Sequence, residues 1–262
     1  MKDIKITIIT VCRNAEKIIE ETIQSVVSQT YTNIEYIIVD GASTDSTMDI
    51  VRKYAIHYSI KCISEPDKGI YDAMNKGILL ASGDYIQFLN AGDFLYEEKT
   101  VQKIVNSMQE YKADIFYGSI IYKYSDSHTE VRKYGKWCSK KIYDYTGDCI
   151  NHQAIFAATD LLKSNQFDIH YKICADREWI IRVRKAGAIF KTIPKIICFY
   201  SLDDKSASIS QKELYEKEAD ECIKQYYSFG YVIFKVFQFC RNNKILSNLL
   251  HGVYRLVYIR KR

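Results

Sequence analysis

Five aspartates stand at or shortly after segments whose residues are typical of β-strands, and carboxylates in such positions can do chemistry together. They are Asp40, Asp45, Asp67, Asp72 and Asp93. Carboxylates that converge can bind ribose hydroxyls and a divalent cation, because Mg²⁺ and Mn²⁺ prefer oxygen ligands. The alternative is that turns alone favour aspartate here. Polar loops of this kind follow four consecutive strands, which makes the cluster more informative than any single residue.

The elements that would position these acids alternate along the first half of the chain. Runs rich in β-branched residues predict strands at Ile4–Thr10, Ile34–Asp40, Ile60–Ser64 and Tyr85–Leu89. Apolar residues at helical spacing predict helices at 15–27, Thr44–Tyr54, Ile70–Ala81 and 101–108. This alternation predicts an α/β fold with a mostly parallel sheet flanked by helices. Such sheets bind ligands at the carboxyl ends of their strands.

The second half is less regular. It predicts strands at Ile115–Tyr124, Gln153–Ala158, Ile189–Ile193 and Ile196–Tyr200, and helices at Arg177–Ala186 and Lys212–Tyr227. The chain has two prolines, Pro66 and Pro194, so it has no Pro-rich linker. We therefore expect one catalytic domain over residues 1–205, followed by a C-terminal helical region over residues 206–262.

Composition excludes several classes of protein and reveals a basic tail. The 262 residues are 47% hydrophobic and 26% charged, as in an ordinary globular protein, which excludes a disordered or low-complexity chain. Residues 229–262 hold seven Lys or Arg and no acid, so the net charge of +5 leaves −2 for the rest. A basic tail suggests an anionic membrane surface or nucleic acid. We expect no nucleic-acid partner, because no recognisable binding motif accompanies the charge.

The tail also carries an apolar stripe at helical spacing. Its members are Leu246, Leu249, Leu250, Val253, Leu256 and Val257. Basic residues fall on the other side, which suits a helix lying on an anionic membrane surface. The alternative is a helix packed against the domain or against a second copy. No stretch reaches the ~18 apolar residues of a spanning helix, so we expect a peripheral rather than a spanning association with the membrane.

Eight cysteines are scattered along the chain, and none forms a C-x-x-C pair. Zinc is therefore not expected. The N-terminus enters a strand pattern directly, without the features of a signal peptide. These observations favour reduced, mostly buried thiols in a cytosolic protein.

Four sequence segments together resemble the family 2 glycosyltransferases, which are inverting enzymes with a GT-A fold. They are TVCRNA at 10–15, QTYTNIEYIIVDGASTDST at 29–47, SEPDKGIYDAMNKGILLASGDYIQFLNAGD at 64–93 and ICADREWIIR at 173–182. They occur in the family's order over roughly residues 4–200, and the long 29–93 match is highly specific. The subgroup resembled is that of bacterial exopolysaccharide, capsule or O-antigen synthesis. It implies a cytoplasmic protein, peripheral on the inner face of the bacterial plasma membrane.

The resemblance implies a donor nucleotide site at the first three strand ends. Its residues would be Thr10, Arg13, Asn14, Asp40, Asp67, Lys68, Asp72 and Asn75. The first three would touch the nucleotide, Asp40 would hold base or ribose, and Asp67 and Lys68 would begin the segment over the base. Asp72 and Asn75 would reach the sugar or the pyrophosphate. Lys68 could instead belong only to a turn, and Asn75 could simply face solvent.

The resemblance also implies a metal ion, Mn²⁺ or Mg²⁺, held at the family's D-x-D motif. This chain has Asn90-Ala91-Gly92-Asp93 in that place. Asp93 matches the last acid, which would bind the metal that bridges the two donor phosphates. Asn90 and Gly92 depart from the pattern, which puts strict metal dependence in doubt. One carboxylate is still enough for a cation that keeps waters and binds phosphate.

An inverting transfer needs a base that deprotonates the acceptor hydroxyl, and a carboxylate suits this role. The family places it at the start of a helix in the second half, where Asp176 fits. Glu178 is the competitor, but residues i and i+2 of a helix point in different directions. Trp179 and Arg182 follow Asp176 as in the family. The alternative is that Asp176 only caps the helix.

Five further residues are candidates for contacts with phosphate or acceptor. They are Asn90, His152, Glu178, Trp179 and Arg182. His152 begins a His-Gln pair of a kind that related enzymes carry near the donor phosphates or the acceptor. Structural roles are the alternative for His152, and Trp179 could pack in the core rather than stack on a sugar.

The implied function is transfer of one sugar, with inversion, from a nucleotide sugar to an acceptor in cell-surface polysaccharide synthesis. The donor would be a UDP-sugar, and the acceptor a saccharide or a polyprenyl-diphosphate-linked glycan. The alternative is a degenerate transferase that serves as a scaffold, motivated by Asn90 and Gly92. A sugar nucleotidyltransferase is disfavoured because TVCRNAEK lacks the expected glycines. A regulatory receiver-like module, with Asp40 as phosphate acceptor, is also disfavoured because it would need only the first half of the chain.

Overall fold

A computed structural model describes residues 3–124, 127–140, 144, 149–202, 210–227, 231–232, 235–236 and 239. Its first half alternates strands and helices. The strands are β1 (Ile6–Cys12), β2 (Ile34–Asp40), β3 (Ile60–Ser64), β4 (Tyr85–Phe88) and β5 (Phe94–Leu95). The helices are α1 (Ile19–Val27), α2 (Thr47–Ala55), α3 (Ile70–Leu80) and α4 (Thr100–Met108). Apart from the two-residue β5, these elements follow the prediction, with ends shifted by a few residues.

The second half contributes four more strands and three more helices within the described residues. The strands are β6 (Ile115–Tyr124), β7 (Thr129–Arg132), β8 (Ile155–Ala158) and β9 (Phe190–Leu202). The helices are α5 (Thr159–Ser164), α6 (Ala175–Lys185) and α7 (Lys212–Tyr226). Short 3₁₀ turns cover Lys136–Ser139 and His152–Ala154. The second turn occupies the start of the strand predicted from Gln153.

All nine strands belong to one sheet. Its order is β3-β2-β1-β4-β8-β6-β9-β5, with β7 paired to β6. The first four strands are parallel, as the alternation predicts, and β6 is parallel to β9. The remaining pairs, β4–β8, β6–β8, β6–β7 and β5–β9, are antiparallel. The α/β architecture is therefore as predicted, and each antiparallel pair includes at least one strand from the second half of the chain.

One long strand replaces the two strands predicted on either side of Pro194. β9 runs through the proline, and its register with β6 shifts between Tyr117 and Ile120. Proline has no N–H to donate to a strand ladder, and an irregularity is one of the few places where a sheet tolerates it. The sequence pattern marks the interruption, and the structure shows that the chain bulges there instead of ending.

The core extends from β1 into the C-terminal helix. Every residue of β1 is buried. α7 adds Ala219, Cys222 and Ile223 to the same continuous apolar cluster. The boundary expected at residues 205 and 206 stays a prediction, and the apolar stripe at 246–257 lies outside the described residues. Among the described residues, no helix is long and apolar enough to cross a membrane.

Candidate active site

A chain of hydrogen bonds joins Asp176 to the turn that follows β4. His152 Nδ1 lies 3.1 Å from Asp176 Oδ2, and His152 Nε2 lies 2.9 Å from the Nδ2 of Asn90. Because the Asn90 amide nitrogen is a donor, Nε2 accepts its hydrogen bond and Nδ1–H donates to the carboxylate. His152 therefore orients Asp176 and connects α6 with the Asn90–Asp93 turn.

Asp176 lies in the first turn of α6 and is not the residue that caps it. The N-cap position is Cys174. Oδ1 of Asp176 accepts hydrogen bonds from the Tyr71 hydroxyl at 3.1 Å and from the backbone N–H of Arg177 at 2.8 Å. Its side chain keeps 19% of its surface exposed. A half-buried, fixed carboxylate that solvent can still reach has the properties that a general base needs.

Asp93 is buried much more deeply than Asp176. Only 4% of its surface is exposed, and its carboxylate accepts hydrogen bonds from Gln153 Nε2 at 2.9 Å and from the backbone N–H of Ser201 at 3.1 Å. Burial raises the pKa of Asp93 to about 7, against the effect of these two donors and of His152. A bound divalent cation would favour the charged form of this carboxylate.

The Asn90–Asp93 turn explains why this chain departs from D-x-D. Gly92 has a φ of +95°, a left-handed conformation that an aspartate side chain would adopt only with strain. The buried Oδ1 of Asn90 has no hydrogen-bond partner among the described residues. A carboxylate and an unpartnered amide oxygen are the kinds of oxygen donor that Mg²⁺ or Mn²⁺ takes together with phosphate and water. Within the described residues, no group of three His, Cys, Asp or Glu could hold a metal alone.

Two residues that the sequence did not single out complete this centre. Gln153 binds Asp93 while its neighbour His152 binds Asp176, so one 3₁₀ turn links the two acids. Tyr71 on α3 reaches Asp176 across a sequence separation of 105 residues. The His-Gln pair was a signal for Gln153. Nothing in the local pattern around Tyr71 indicates its contact.

Asp40 lies at the end of β2, fully buried, and its carboxylate is occupied by neighbouring residues. It accepts hydrogen bonds from the Ser64 hydroxyl at 2.6 Å, the Ser43 hydroxyl at 2.5 Å and the Ser43 N–H at 2.9 Å. The Cys12 thiol lies 3.6 Å from the same carboxylate. Asp40 therefore fixes the ends of β1, β2 and β3 relative to one another, and its role toward a base or ribose stays a prediction.

The prediction that Thr10 lies in a nucleotide-binding loop is wrong. Thr10 lies inside β1 and is fully buried. Its hydroxyl donates to the carbonyl of Leu89 at 2.8 Å and pairs with the Tyr36 hydroxyl at 3.0 Å. The strand continues to Cys12, so the loop begins later than the sequence suggests.

Arg13 and Asn14 are exposed at the sheet edge, as expected for this loop. Asn14 joins two loops, since its Oδ1 accepts the N–H of Thr44 at 2.9 Å and its own N–H donates to Ser43 at 2.7 Å. Arg13 lies beside Gly41, where a Cβ atom would stand 3.4 Å from Arg13 Cδ and 2.2 Å from Asp67 Oδ2. The absent side chain at Gly41 therefore lets Arg13 and Asp67 approach from either side.

Asp67, Lys68 and Asp72 form the turn that begins α3. Asp67 accepts the N–H of Gly69 at 2.8 Å, and Asp72 accepts the N–H of Lys68 at 2.9 Å. The side chain of Lys68 is exposed. A role of Lys68 in the turn is compatible with a role in binding nucleotide. The two aspartates bind the backbone of the turn, and the lysine side chain stays at the surface.

A family profile described as glycosyl transferase family 2 matches residues 7–175, which is more than half of the chain. The chain belongs to this family. The resemblance identified in the sequence is thereby confirmed, and the matched range includes Asp93 and His152 but ends one residue before Asp176.

A curated relative of this family 2 chain carries the name "PGL/p-HBAD biosynthesis glycosyltransferase", from Mycobacterium bovis. The two are 32% identical over 173 residues, which is 64% of this chain and 65% of the relative. The match thus spans somewhat less than two thirds of that relative's length.

Solved structures confirm the fold. S. aureus TarS 1–349 in complex with UDP-GlcNAc superposes with a TM-score of 0.68 at 20% identity, over 91% of this chain and 74% of TarS. The mannosyltransferase PcManGT from Pyrobaculum calidifontis, in complex with GDP-Man and Mn²⁺, has a TM-score of 0.63 at 15% identity, over 97% and 80% of the two chains. The α/β transferase fold expected for a family 2 member is therefore present.

Three side chains on α6 and one on α3 are not placed as the family resemblance implied. Glu178 is 1% exposed and forms an ion pair with Arg182 at 2.8 Å, and the Tyr226 hydroxyl donates to the same carboxylate. Arg182 also donates to the carbonyl of Gln166 at 2.7 Å. Both residues fix α6 against its neighbours. Glu178 is closed to phosphate and acceptor in this conformation, whereas a contact of the half-buried Arg182 stays a prediction.

Trp179 and Asn75 are structural as well. Trp179 is 2% exposed, and its indole N–H donates to the carbonyl of Asn165 at 2.6 Å, so it cannot stack on a sugar in this conformation. Asn75 exchanges two hydrogen bonds of 2.9 Å with the backbone of Phe167. Its side-chain amide is thus occupied by the backbone of Phe167, and a contact with the donor stays a prediction. Each polar group finds its partner far along the sequence, which local spacing does not reveal.

Proposed function

We propose that this chain is an inverting glycosyltransferase that moves one sugar from a nucleoside-diphosphate sugar to a glycan acceptor. The observation that carries the proposal is the hydrogen-bonded connection from Asp176 through His152 to the Asn90–Asp93 turn. It joins a candidate base on α6 to a candidate phosphate and metal site after β4. Membership of family 2 and the nucleotide-sugar complexes of TarS and PcManGT support the same reaction class.

Asp176 takes the proton from the acceptor hydroxyl as that oxygen attacks the anomeric carbon. Attack from the face opposite the departing diphosphate inverts this carbon, so no covalent intermediate and no nucleophilic side chain are needed. His152 holds the carboxylate in one orientation by donating from Nδ1. Tyr71 donates to the other carboxylate oxygen, and together the two donors keep Asp176 directed at one place.

Asp93 and Asn90 are the residues that would hold Mn²⁺ or Mg²⁺. Bound there, the cation would neutralise charge on the diphosphate. The donor is a UDP-sugar in this proposal, with Arg13, Asp67 and Lys68 exposed or half-exposed at the sheet edge to receive the nucleotide. The relative named for PGL/p-HBAD biosynthesis and the resemblance to polysaccharide enzymes favour a cell-surface glycan or its lipid-linked form as acceptor.

A donor screen tests this function. The purified protein with Mn²⁺ or Mg²⁺ is incubated with UDP-, GDP- and dTDP-sugars, and release of nucleoside diphosphate is measured. We expect slow release from one donor class. Removal of a positioned general base costs about 10²–10⁴-fold in rate, so Asp176→Asn should lose most of this release. Asp93→Ala should lose it as well and should no longer respond to the cation.

Exposed carboxylates provide the matched control for this screen. Glu110 lies on the surface beyond α4, and Glu110→Gln should release nucleoside diphosphate at the wild-type rate. Absence of both release and nucleotide binding in the wild-type protein, with either metal, would contradict the transferase reading and favour the scaffold.

We also infer that the C-terminal region docks on an anionic membrane surface, which would bring the site to a lipid-linked acceptor. Val232, Val236 and Phe239 are helical residues with exposed fractions of 65%, 57% and 67%. Their spacing puts them on one helix face. Lys235 pairs with Asp220 of α7 at 2.5 Å, which attaches this segment to the domain. The basic residues of 241–262 would add attraction to anionic lipid.

Vesicle binding tests this second inference. We expect the protein to sediment with vesicles that contain phosphatidylglycerol, less with phosphatidylcholine alone, and less at high salt because salt screens the attraction. Phe239→Asp should weaken binding, whereas Val131→Asp, at an exposed position on β7, should not. A Phe239→Asp variant that binds vesicles normally but separates a dimer would show that the face packs against a second copy.

A further inference from the structure

Glu218 is a buried carboxylate of α7 that no role described so far explains. It is 5% exposed, and it accepts backbone N–H groups from three consecutive residues. Oε1 accepts Lys172 at 2.8 Å, while Oε2 accepts Ile173 at 2.9 Å and Cys174 at 3.0 Å. A buried charge normally needs such partners to offset its loss of hydration. These bonds therefore bind one short segment firmly to the C-terminal helix.

The segment held by Glu218 leads directly into the helix that carries Asp176. α6 begins at Ala175, and its N-cap residue Cys174 makes no side-chain capping bond within the described structure. The first N–H groups of a helix have no partner inside the helix. Glu218 supplies an acceptor at the N-cap residue itself, and its negative charge is favourable near a helix N-terminus.

The same segment also contacts Asp176 from the other side. The carbonyl of Ile173 accepts the Tyr71 hydroxyl at 2.7 Å, and that hydroxyl lies 3.1 Å from Asp176 Oδ1. The two peptide groups that flank the Ile173 Cα thus make both contacts: the carbonyl accepts from Tyr71, and the N–H donates to Glu218. Any movement of this peptide would shift both the start of α6 and the hydroxyl that directs Asp176.

Other contacts of α7 are consistent with a helix that aligns the base. Tyr171 donates its hydroxyl to Gln225 at 2.8 Å, one residue before the segment that Glu218 holds. Tyr226 donates to Glu178, two residues after Asp176. α7 therefore contacts the chain on both sides of Asp176, at Tyr171 and at Glu178. The segment that Glu218 holds lies between these two contact points along the chain.

We propose that Glu218 is a positioning residue for the transfer reaction: through the backbone of Lys172–Cys174 it holds Asp176 in place. This inference rests on the proposed function, because it gives Asp176 the role of base. Glu218 lies 43 residues beyond the end of the family match at residue 175. A complete site would then need the C-terminal helix as well as the matched range.

The test compares Glu218→Gln and Glu218→Ala with Glu216→Gln, which changes an exposed glutamate on the same helix. Alanine removes both acceptor oxygens and leaves the three backbone N–H donors without this partner, whereas glutamine keeps one acceptor oxygen. A displacement of about 1 Å in a reacting group can cost about a hundredfold in rate. We expect kcat to fall about tenfold in Glu218→Gln and further, toward a hundredfold, in Glu218→Ala. The affinity for UDP, GDP or dTDP should stay within about twofold of wild type, because the nucleotide contacts precede residue 176.

Amide hydrogen exchange separates this proposal from the proposed function. The amides of Lys172, Ile173 and Cys174 should be protected in the wild-type chain and in Glu216→Gln. They should exchange at least about tenfold faster in Glu218→Ala, at temperatures where that variant is still folded. Wild-type exchange in Glu218→Ala, or an unchanged kcat despite faster exchange, would overturn the positioning role. A wild-type protein that neither releases nucleoside diphosphate nor binds nucleotide would overturn the proposed function, and the exchange rates would still decide whether Glu218 holds the segment.

Discussion

His152 has two ring nitrogens with different tasks, and this determines how its replacement should act. Nε2 accepts from Asn90 and Nδ1–H donates to Asp176. A neutral imidazole can do both only in one tautomer. The Asn90 amide therefore selects the tautomer that orients the base. A side chain lacking a donor toward Asp176 would leave Oδ2 without this hydrogen bond, so that only the Tyr71 hydroxyl and the Arg177 N–H would hold the carboxylate.

We expect His152→Ala to lower kcat for nucleoside diphosphate release by about tenfold to a hundredfold. A hydrogen bond to a charged group contributes about 1.5–3 kcal/mol, and each 1.4 kcal/mol is a factor of ten in rate. His152→Gln, which can still donate one N–H, should recover part of the loss. Steady-state kinetics at saturating donor gives the comparison.

His170 provides the control for these variants, because it is an exposed histidine elsewhere in the same half of the chain. His170→Ala should keep the wild-type kcat. Equal rates for His152→Ala and wild type would contradict the orienting role and leave His152 with a structural one.

The candidate site illustrates what residue patterns can and cannot predict. Asp93, His152 and Asp176 were found because they belong to segments that resemble the family. The hydrogen-bond partners of Asp40 and Thr10 could not be predicted, since Ser64 and Tyr36 come from other strands. Glu178 was a competitor for the base on spacing alone. The structure removes Glu178 from the candidates because its carboxylate accepts the hydroxyl of Tyr226, which lies 48 residues later in the chain.

At the scale of elements, Glu35 connects the four parallel strands at the end opposite the candidate site. It lies on β2 and accepts the Thr7 hydroxyl of β1 at 2.7 Å, Lys61 of β3 at 2.5 Å, and both N–H and hydroxyl of Ser82 before β4 at 2.7 Å. Burial alone would raise the pKa of Glu35, but the hydrogen bonds from Lys61, Ser82 and Thr7 outweigh it and lower the pKa to about 2.

A lowered pKa in the folded state makes Glu35 stabilising above its unfolded pKa. An acid of this kind binds fewer protons when folded, so its contribution is present above about pH 4.5 and is lost as the pH falls through about 2. We expect Glu35→Gln to reduce the free energy of unfolding at pH 7 by about 2 kcal/mol. Urea titrations of wild type and variant should converge between about pH 4.5 and about pH 2. A difference that is constant over this range would contradict the assignment.

Strands and helices were predicted where apolar residues recur with the spacing of a strand or a helix along the whole element. β1 to β4 and α1 to α4 all appear where the pattern places them. β5 and β7 were missed, because two or four residues carry no period of their own and form only against β9 and β6. The antiparallel position of β8 is likewise a property of its neighbours β4 and β6.

At the scale of the whole molecule, the cysteines that react with an alkylating reagent show which parts of the chain solvent can reach. All seven described cysteines are free thiols, and Cys62 alone among them is exposed. Burial raises the pKa of Cys12, Cys174 and Cys222, and reactivity belongs to the thiolate. These buried thiols should react only when the structure opens.

We expect iodoacetamide to label Cys62 in the native protein, followed by the half-buried Cys149, and to reach Cys12, Cys138, Cys174, Cys198 and Cys222 only after unfolding. Peptide mass spectrometry in buffer and in urea measures this order. Rapid native labelling of Cys174 or Cys222 would contradict the packing of α7 against α6.

During synthesis, β6 emerges well before its parallel partner β9, so one edge of β6 stays unpaired for some time. β6 begins at Ile115, but its parallel partner β9 ends at Leu202. Synthesis at about 5–20 residues per second needs roughly 4–17 s to cover that interval. During this time β8 can cover one edge of β6, while the other edge presents unpaired backbone beside the apolar side chains of Ile115, Phe116 and Tyr117. An exposed edge of this kind invites pairing with other chains. Abundant chaperones that cover this edge should therefore improve the yield of folded protein.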